Sequence, residues 1–302
     1  NKIDFYLARN PITVFAGIKQ GLDVKYLVPG IAKNQLKVQL KSFFHIRAIF
    51  NKCVNVFTSY LQKKALIKVN NVFVFSKSMS QQVEDYIGFN RKISIVNPGV
   101  DIDRFSKSFS IDELKLFKNE IGISEETFIF ILVGRLVKNK GFEYALESFS
   151  KINTKDKHLL ILGDGSEKNN LIKLAEDLSI KNDVSFLGNI TNEIEKFYNV
   201  SNCFIMSSTY EPFGQTILEA MATGTPVISW KSGGKIQTAT SEFMKDRKHG
   251  YLVDFEINKM TDAMENIISL KEDEIKKISL NNNYLVSKRF TWEELAKKLL
   301  IC

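Results

Sequence analysis

Two glutamates separated by seven residues lie in the stretch Glu211-Pro-Phe-Gly-Gln-Thr-Ile-Leu-Glu219-Ala-Met-Ala. Glu211 reads as a loop residue after a strand and before a helix, and Glu219 falls about one turn inside that helix. An ionised carboxylate only accepts hydrogen bonds, so two of them facing one pocket suit the vicinal hydroxyls of a sugar or a ribose. Between them Phe213, Gly214, Gln215 and Thr216 would present the free backbone N–H groups of a helix N-terminus, which attract an anion. The plainer readings are a helix-terminal charge for Glu211 and a solvent-facing helix residue for Glu219. Glu219 stands among Ile217, Leu218, Ala220, Met221 and Ala222, and a charge in that company is either paired or bound to a ligand.

A second cluster is cationic. Gly134-Arg135 follows the expected strand Thr127–Val133, and Lys140-Gly141 opens the next helical segment. Glycine permits close backbone approach, and Arg plus Lys at one helix N-terminus offers two cations to a diphosphate. The alternative is an ordinary pair of surface charges flanking a loop. Gly163-Asp164-Gly165 also ends an apolar run, and a turn is the better reading of that tripeptide alone.

These residues need strands to carry them, and apolar runs alternate with helical patterns throughout, the signature of a parallel sheet covered by helices. Strands are expected at Val24–Val28, Val72–Ser76 and Ile93–Val96, with one or two helices over Lys33–Val69 and a short one over Ser78–Tyr86. After Asn97-Pro98-Gly99 a second series begins: strands Thr127–Val133, His158–Leu162, Val184–Leu187, Cys203–Met206, Val227–Ser229 and Tyr251–Val253, with helices between them. The expected domains are a partial first lobe over 1–105 with about three strands, and a complete doubly wound domain over 106–283. The tail from Tyr284 to Cys302 carries Phe290, Trp292, Leu295, Leu299 and Leu300 in one apolar stripe and is expected to pack back onto the first lobe.

Length and composition bound the rest. At ~150 residues per domain, 302 residues predict two domains. An apolar share of 44% and a charged share of 25% exclude disorder, collagen and coiled coil. The longest apolar run, Phe128 to Val133, is far short of the ~18 residues of a membrane helix. No basic n-region precedes an apolar stretch, so no signal peptide is read; the chain opens on Asn1 rather than Met, which fits either a fragment or a reduced first lobe. Cys53, Cys203 and Cys302 form no pair motif and His45, His158 and His249 are scattered, which predicts a reducing, cytoplasmic setting and no metal site.

The net charge of +8 is uneven: residues 1–105 hold 16 Lys+Arg and 6 Asp+Glu, and the remainder is slightly acidic. Lys33, Lys37 and Lys41 recur on one row, with Leu36, Leu40 and Phe44 on another, a pattern that suits an anionic bilayer surface or a solvated lysine face. A nucleic-acid partner is not expected, because the aromatics are not organised for base stacking.

The Glu211–Glu219 stretch resembles the glutamate–seven residues–glutamate motif of the retaining family 4 glycosyltransferases, the glycosyl transferases group 1, which have the GT-B fold. Further pieces agree in order: Phe75-Ser76-Lys77-Ser78, Val96-Asn97-Pro98-Gly99-Val100-Asp101, Gly134-Arg135 with Lys140-Gly141, Leu162 to Gly165, Phe186-Leu187-Gly188, Ser232-Gly233-Gly234 and His249 to Val253. The resemblance covers about residues 70–300. It departs after Gly233-Gly234, where the family continues with Pro and Glu one residue on and this chain reads Lys235-Ile236-Gln237 and a long polar stretch, and the family's glycine-rich opening unit has no counterpart.

The resemblance implies two Rossmann-like α/β domains, the first incomplete, and metal-independent transfer of a sugar from a nucleotide diphosphate sugar to a glycan or lipid-linked acceptor, with retention, in surface polysaccharide synthesis. It implies Arg135 and Lys140 at the leaving diphosphate, Glu211 at the donor sugar and Glu219 at the ribose. Gly134, Gly163, Leu187, Gly188 and the segment Phe213–Thr216 would contact the donor, and no cofactor beyond the donor is expected. His45 would stand near the donor sugar, although Phe43, Phe44 and Ile46 around it also describe a core histidine. Asp101-Ile102-Asp103 reads as a turn rather than a metal motif. The competing readings are a non-catalytic donor-binding partner of another transferase and a nucleotide-sugar epimerase of the same fold; a phosphorylase would need a pyridoxal lysine, for which no motif is present.

Overall fold

The computed structural model describes residues 5–32 and 46–301. The chain divides into two compact units, Asn1–Asn97 with Leu295–Cys302, and Pro98–Glu294.

The first unit holds an all-parallel sheet in the order β1-β2-β3-β4: β1 (Tyr6–Ala8), β2 (Val24–Leu27), β3 (Asn71–Val74) and β4 (Ser94–Ile95). That is one strand more than the sequence reading. The addition is β1, followed by the helix Pro11–Lys19, which Asn10 caps by accepting from the Ile12 amide and which begins on a proline. Strand alternation sorts the core. Val24, Tyr26, Val72 and Val74 face a cluster with Val14, Ala65, Leu66, Met79 and Val83 from the helices. Leu27 and Phe73 face the other way, where Leu295 and Leu299 of the helix Trp292–Ile301 cover them. Buried Lys25 donates to the Leu299 carbonyl at 2.5 Å, a cation at a helix C-terminus.

The second unit holds six parallel strands: β5 (Phe128–Val133), β6 (Lys157–Leu162), β7 (Val184–Gly188), β8 (Cys203–Met206), β10 (Val227–Trp230) and β12 (Gly250–Val253), in the order β12-β10-β8-β5-β6-β7. A separate two-stranded ladder pairs β9 (Tyr210–Glu211) with β11 (Gln237–Thr238). Phe130, Leu132, Leu159, Ile161, Ile205 and Ile228 pack against Phe149, Leu171, Met260 and Met264 of the helices Phe142–Ser150, Lys168–Asp177 and Ile257–Ile268.

The division falls earlier than 105 and later than 284. Asp101 caps the short helix Ile102–Phe105 by accepting from the Arg104 amide at 3.0 Å, so the segment forms a capped turn. Arg104 pairs with Glu195 at 3.0 Å, and the Phe105 ring meets Tyr198 edge-on, so residues 98–105 belong to the second unit. The helix Glu272–Arg289 packs on the helix Gln215–Ala222, which keeps residues 284–294 there too. Within the tail, Phe290 joins an aromatic cluster of the second unit, Trp292 lies against Gly99 and Leu300 is exposed; only Leu295 and Leu299 reach the first sheet. The row Lys33, Lys37 and Lys41 lies outside the described residues.

Candidate active site

In the second sheet the chain starts at β5, runs outward through β6 and β7, then returns to lay β8, β10 and β12 on the opposite side. β5 and β8 are therefore neighbours whose connections leave in opposite directions, and the crevice beyond their carboxyl ends is where open α/β sheets bind ligands. Gly134, Arg135 and Lys140 follow β5, and Ser207 to Glu211 follow β8.

The floor of this region is backbone. The Gly134 amide donates to the Leu162 carbonyl at 2.9 Å and the Gly163 amide to the Gly188 carbonyl at 2.7 Å. The Leu136 amide donates to the Asp164 carbonyl, and the Glu167 amide to the Leu136 carbonyl, each at 2.9 Å. The loops after β5, β6 and β7 are thereby joined, with Leu187 half-buried beside Gly188. Any side chain at Gly163 would overlap the Gly134 carbonyl oxygen, so the approach is available to glycine alone. The Asp164 carboxylate accepts from the Gly165 amide, the turn expected of this tripeptide.

The loops after β5 and β8 are locked in the same way. Gly141 adopts φ 62° and abuts the Ser207 carbonyl, which also accepts from the Trp230 indole at 3.0 Å. The Ser207 hydroxyl donates to the Lys140 carbonyl at 2.9 Å, and the Thr209 amide to the Asn139 carbonyl at 3.0 Å. Across this junction Lys140 Nζ forms an ion pair with Glu211 Oε2, with the two side chains 18% and 14% exposed. Lys140 also runs past Gly134, its Nζ 3.8 Å from where a Cβ would stand. Arg135 is exposed and pairs with no described residue.

Glu211 is held from the other side by β11. The Gln237 amide donates to the Thr209 carbonyl at 2.8 Å, and the Ala239 amide to the Glu211 carbonyl at 3.3 Å. Ser232 Oγ braces this strand through the Thr238 carbonyl at 2.5 Å. The polar stretch where the sequence departs from the family pattern is thus the strand that fixes the Glu211 backbone. A side chain at Gly214, the residue capping the helix Gln215–Ala222, would stand 3.2 Å from Glu211 Cγ, so the carboxylate lies beside that helix N-terminus.

Glu219 has a different neighbourhood. Its Oε2 accepts from the Tyr198 hydroxyl at 2.9 Å. Burial raises the Glu219 carboxyl above the ordinary carboxylate range, offset in part by the Tyr198 hydrogen bond and by the charge of Arg104. Burial, with the charge of Glu219, pushes the Tyr198 phenol well up. The Tyr198 partner escaped the sequence reading, although a carboxylate among apolar residues demands one and Tyr198 lies on the helix Ile194–Val200 just before β8.

The side chains at this helix start have partners of their own. The Phe213 ring is a core element, stacked on Phe243 at 5.0 Å and packed on Phe290 at 5.4 Å, which leaves only its backbone for a donor. Gln215 Nε2 donates to the Gly99 carbonyl at 2.9 Å, within the second unit. The Thr216 carbonyl lies 3.4 Å from the Tyr198 hydroxyl. His45 lies outside the described residues. His249 is buried, with Nδ1 3.0 Å from Asn282 Oδ1. Among the described residues no group of three or more His, Cys, Asp or Glu could hold a metal ion, and no helix is long and apolar enough to cross a membrane.

Residues 115–297, which contain Arg135, Lys140, Glu211 and Glu219, match the family model of the glycosyl transferases group 1. The chain belongs to the group 1 glycosyltransferases. Among relatives of this family, the lipopolysaccharide core biosynthesis glycosyltransferase LpsE of Rhizobium meliloti is 32% identical over 58% of the chain and 47% of its own length. The alpha-monoglucosyldiacylglycerol synthase of Acholeplasma laidlawii is 25% identical over 82% of the chain and 63% of its own length. The chain spans about half the length of the first curated relatives it matches, 43–47%. Anabaena HepE, solved in complex with UDP-glucose, superposes with a TM-score of 0.81 at 18% identity, over 99% of this chain and 79% of its own. The group 1 chain accordingly has the GT-B fold.

Proposed function

We propose that this group 1 chain transfers a sugar from a nucleotide diphosphate sugar to a glycan or lipid-linked acceptor, with retention of anomeric configuration and without a metal ion. The observation that carries this reading is the meeting of a lysine and a glutamate, Lys140 and Glu211, at the switch point between β5 and β8. Departure of a nucleoside diphosphate develops negative charge on its phosphoryl oxygens. Two cations, Arg135 and Lys140, stabilise that charge electrostatically, the role a divalent ion fills in other transferases. Glu211, beside a helix N-terminus, accepts from sugar hydroxyls, while the first amides of that helix suit the phosphate oxygens. Glu219, oriented by Tyr198, reads the ribose. The UDP-glucose complex of HepE supports a nucleotide sugar as donor. The excess of basic residues in 1–105 and the glucosyldiacylglycerol synthase relative support work at an anionic membrane surface, on its cytoplasmic side.

The test is a panel of nucleotide sugars scored by thermal shift and by donor hydrolysis, with and without EDTA. A shift with one nucleotide series and chelator-resistant turnover are expected. Turnover abolished by EDTA and restored by Mg²⁺ would overturn the metal-free reading, and binding without turnover toward any acceptor would favour a non-catalytic donor-binding partner.

A further inference from the structure

The ion pair between Lys140 and Glu211 joins the two groups to which the proposed function gives different tasks, one at the diphosphate and one at the sugar. Both side chains are more than four-fifths withdrawn from solvent, and both backbones are pinned, Lys140 by Ser207 and Glu211 by β11. Neither residue can move away as a whole, so any change of partner is a change of side-chain torsion. The Lys140 ammonium lies beside Gly134, at the mouth of β5, where the backbone carries no side chain. A small swing therefore moves it between the carboxylate and an anion seated over the glycine turn.

Resting on the donor-binding reading above, we propose that Glu211 and the donor's diphosphate compete for Lys140. The diphosphate draws the ammonium off Glu211, and this release frees the Glu211 carboxylate to accept from the sugar hydroxyls. Lys140 then links phosphate recognition to sugar recognition: a nucleoside monophosphate, too short to reach Lys140, leaves Glu211 occupied.

Competition reverses the usual expectation for a binding-site substitution. Glu211→Gln keeps the size of the side chain and removes its claim on the ammonium, so it should tighten the bare nucleoside diphosphate. A release of about 1 kcal/mol, the upper value for a partly exposed single pair, corresponds to about fivefold in Kd. Through-space repulsion between the carboxylate and the phosphates would also give tightening, and a double-mutant cycle separates the two. The experiment is calorimetry with UDP, GDP and ADP on the full chain, as wild type, Glu211→Gln, Lys140→Met and the double variant, each first checked for an unchanged melting transition. The expected result is a gain of about fivefold from Glu211→Gln in the presence of Lys140, no gain in the Lys140→Met background, and no gain for the matching monophosphate in either. A gain that persists without Lys140 assigns the effect to repulsion and overturns the competition. So does an unchanged or weakened diphosphate, which would mean that Glu211 aims Lys140 at the phosphate. Failure of wild type to bind any of the three diphosphates overturns the donor-binding reading itself, and the competition with it.

Discussion

The two carboxylates of one short segment sit in opposite surroundings. Glu211 meets a cation, Lys140, at the junction of two loops, and Glu219 meets a neutral phenol, Tyr198, beneath a helix. A carboxylate held by a mobile ammonium can change partners at the cost of one ion pair. A carboxylate held by a buried hydroxyl has one oxygen committed and its orientation set by packing. On the reading proposed above, identical side chains take separate tasks from their neighbours, Glu211 a contact that forms during reaction and Glu219 a fixed contact with the nucleotide.

The largest effect that could break this comparison is on the rate. Glu211→Gln should lower donor turnover by about 10²-fold, as for loss of one group that acts on the transition state, while tightening the nucleoside diphosphate. A variant that loses affinity and rate in proportion would place Glu211 in ground-state binding. Next, Lys140→Ala should weaken the nucleoside diphosphate by ~1.5–3 kcal/mol in calorimetry, the worth of a charge-assisted hydrogen bond. An unchanged Kd would remove Lys140 from the diphosphate. Smaller again, Tyr198→Phe leaves Glu219 without its donor and should cost about 1–2 kcal/mol in urea unfolding, with weaker nucleotide binding and unaltered saturated turnover. A drop in saturated turnover with unchanged affinity would contradict the assignment of Glu219 to a fixed contact.

The smallest effect is in the pH dependence. Glu219 titrates higher in the folded chain than its ordinary value of 4.5, because burial disfavours its charged form. As pH rises through 4.5 the unfolded chain gives up this proton first, so the native state binds more protons across the window and stability declines over it. The stability of wild type minus that of Glu219→Gln should fall as pH rises from 4.5 through the raised value, and be flat on either side. A difference that rises over the same range would refute the raised value.

How much of this was legible beforehand depends on the length and apolarity of each segment. The β5 run of six apolar residues and the turns after it mark themselves, and so the cations at Arg135 and Lys140 could be set at a strand end from sequence alone. β1 could not: it has three residues, two of them exposed, and so shows no alternation. β9 and β11 have two residues each, and the polar composition around Gln237 describes a loop as well as it does a strand. The candidate residues were legible by type but not by partner. Phe213 and Gln215 were read for their place at a helix start, yet their side chains turn to the aromatic cluster and to Gly99, because side-chain direction follows packing that local pattern does not record. Glu219 carried the clearest hint, a charge among apolar neighbours, but Tyr198 precedes it by 21 residues and no spacing rule connects them.

The contact between Lys25 and Leu299 bears on how the chain comes to be folded during synthesis. The first unit has a lysine in its sheet whose acceptor is a carbonyl 274 residues downstream, and its Leu27 and Phe73 face waits for Leu295 and Leu299. At ~5–20 residues per second, the roughly 200 residues between Asn97 and Leu295 take about 10–40 s to emerge. Over that interval the nascent first unit exposes the apolar face of Leu27 and Phe73, while the second unit has its six strands in one continuous stretch. The order of completion is therefore the reverse of the order of emergence, because the last residues of the first unit follow the whole of the second.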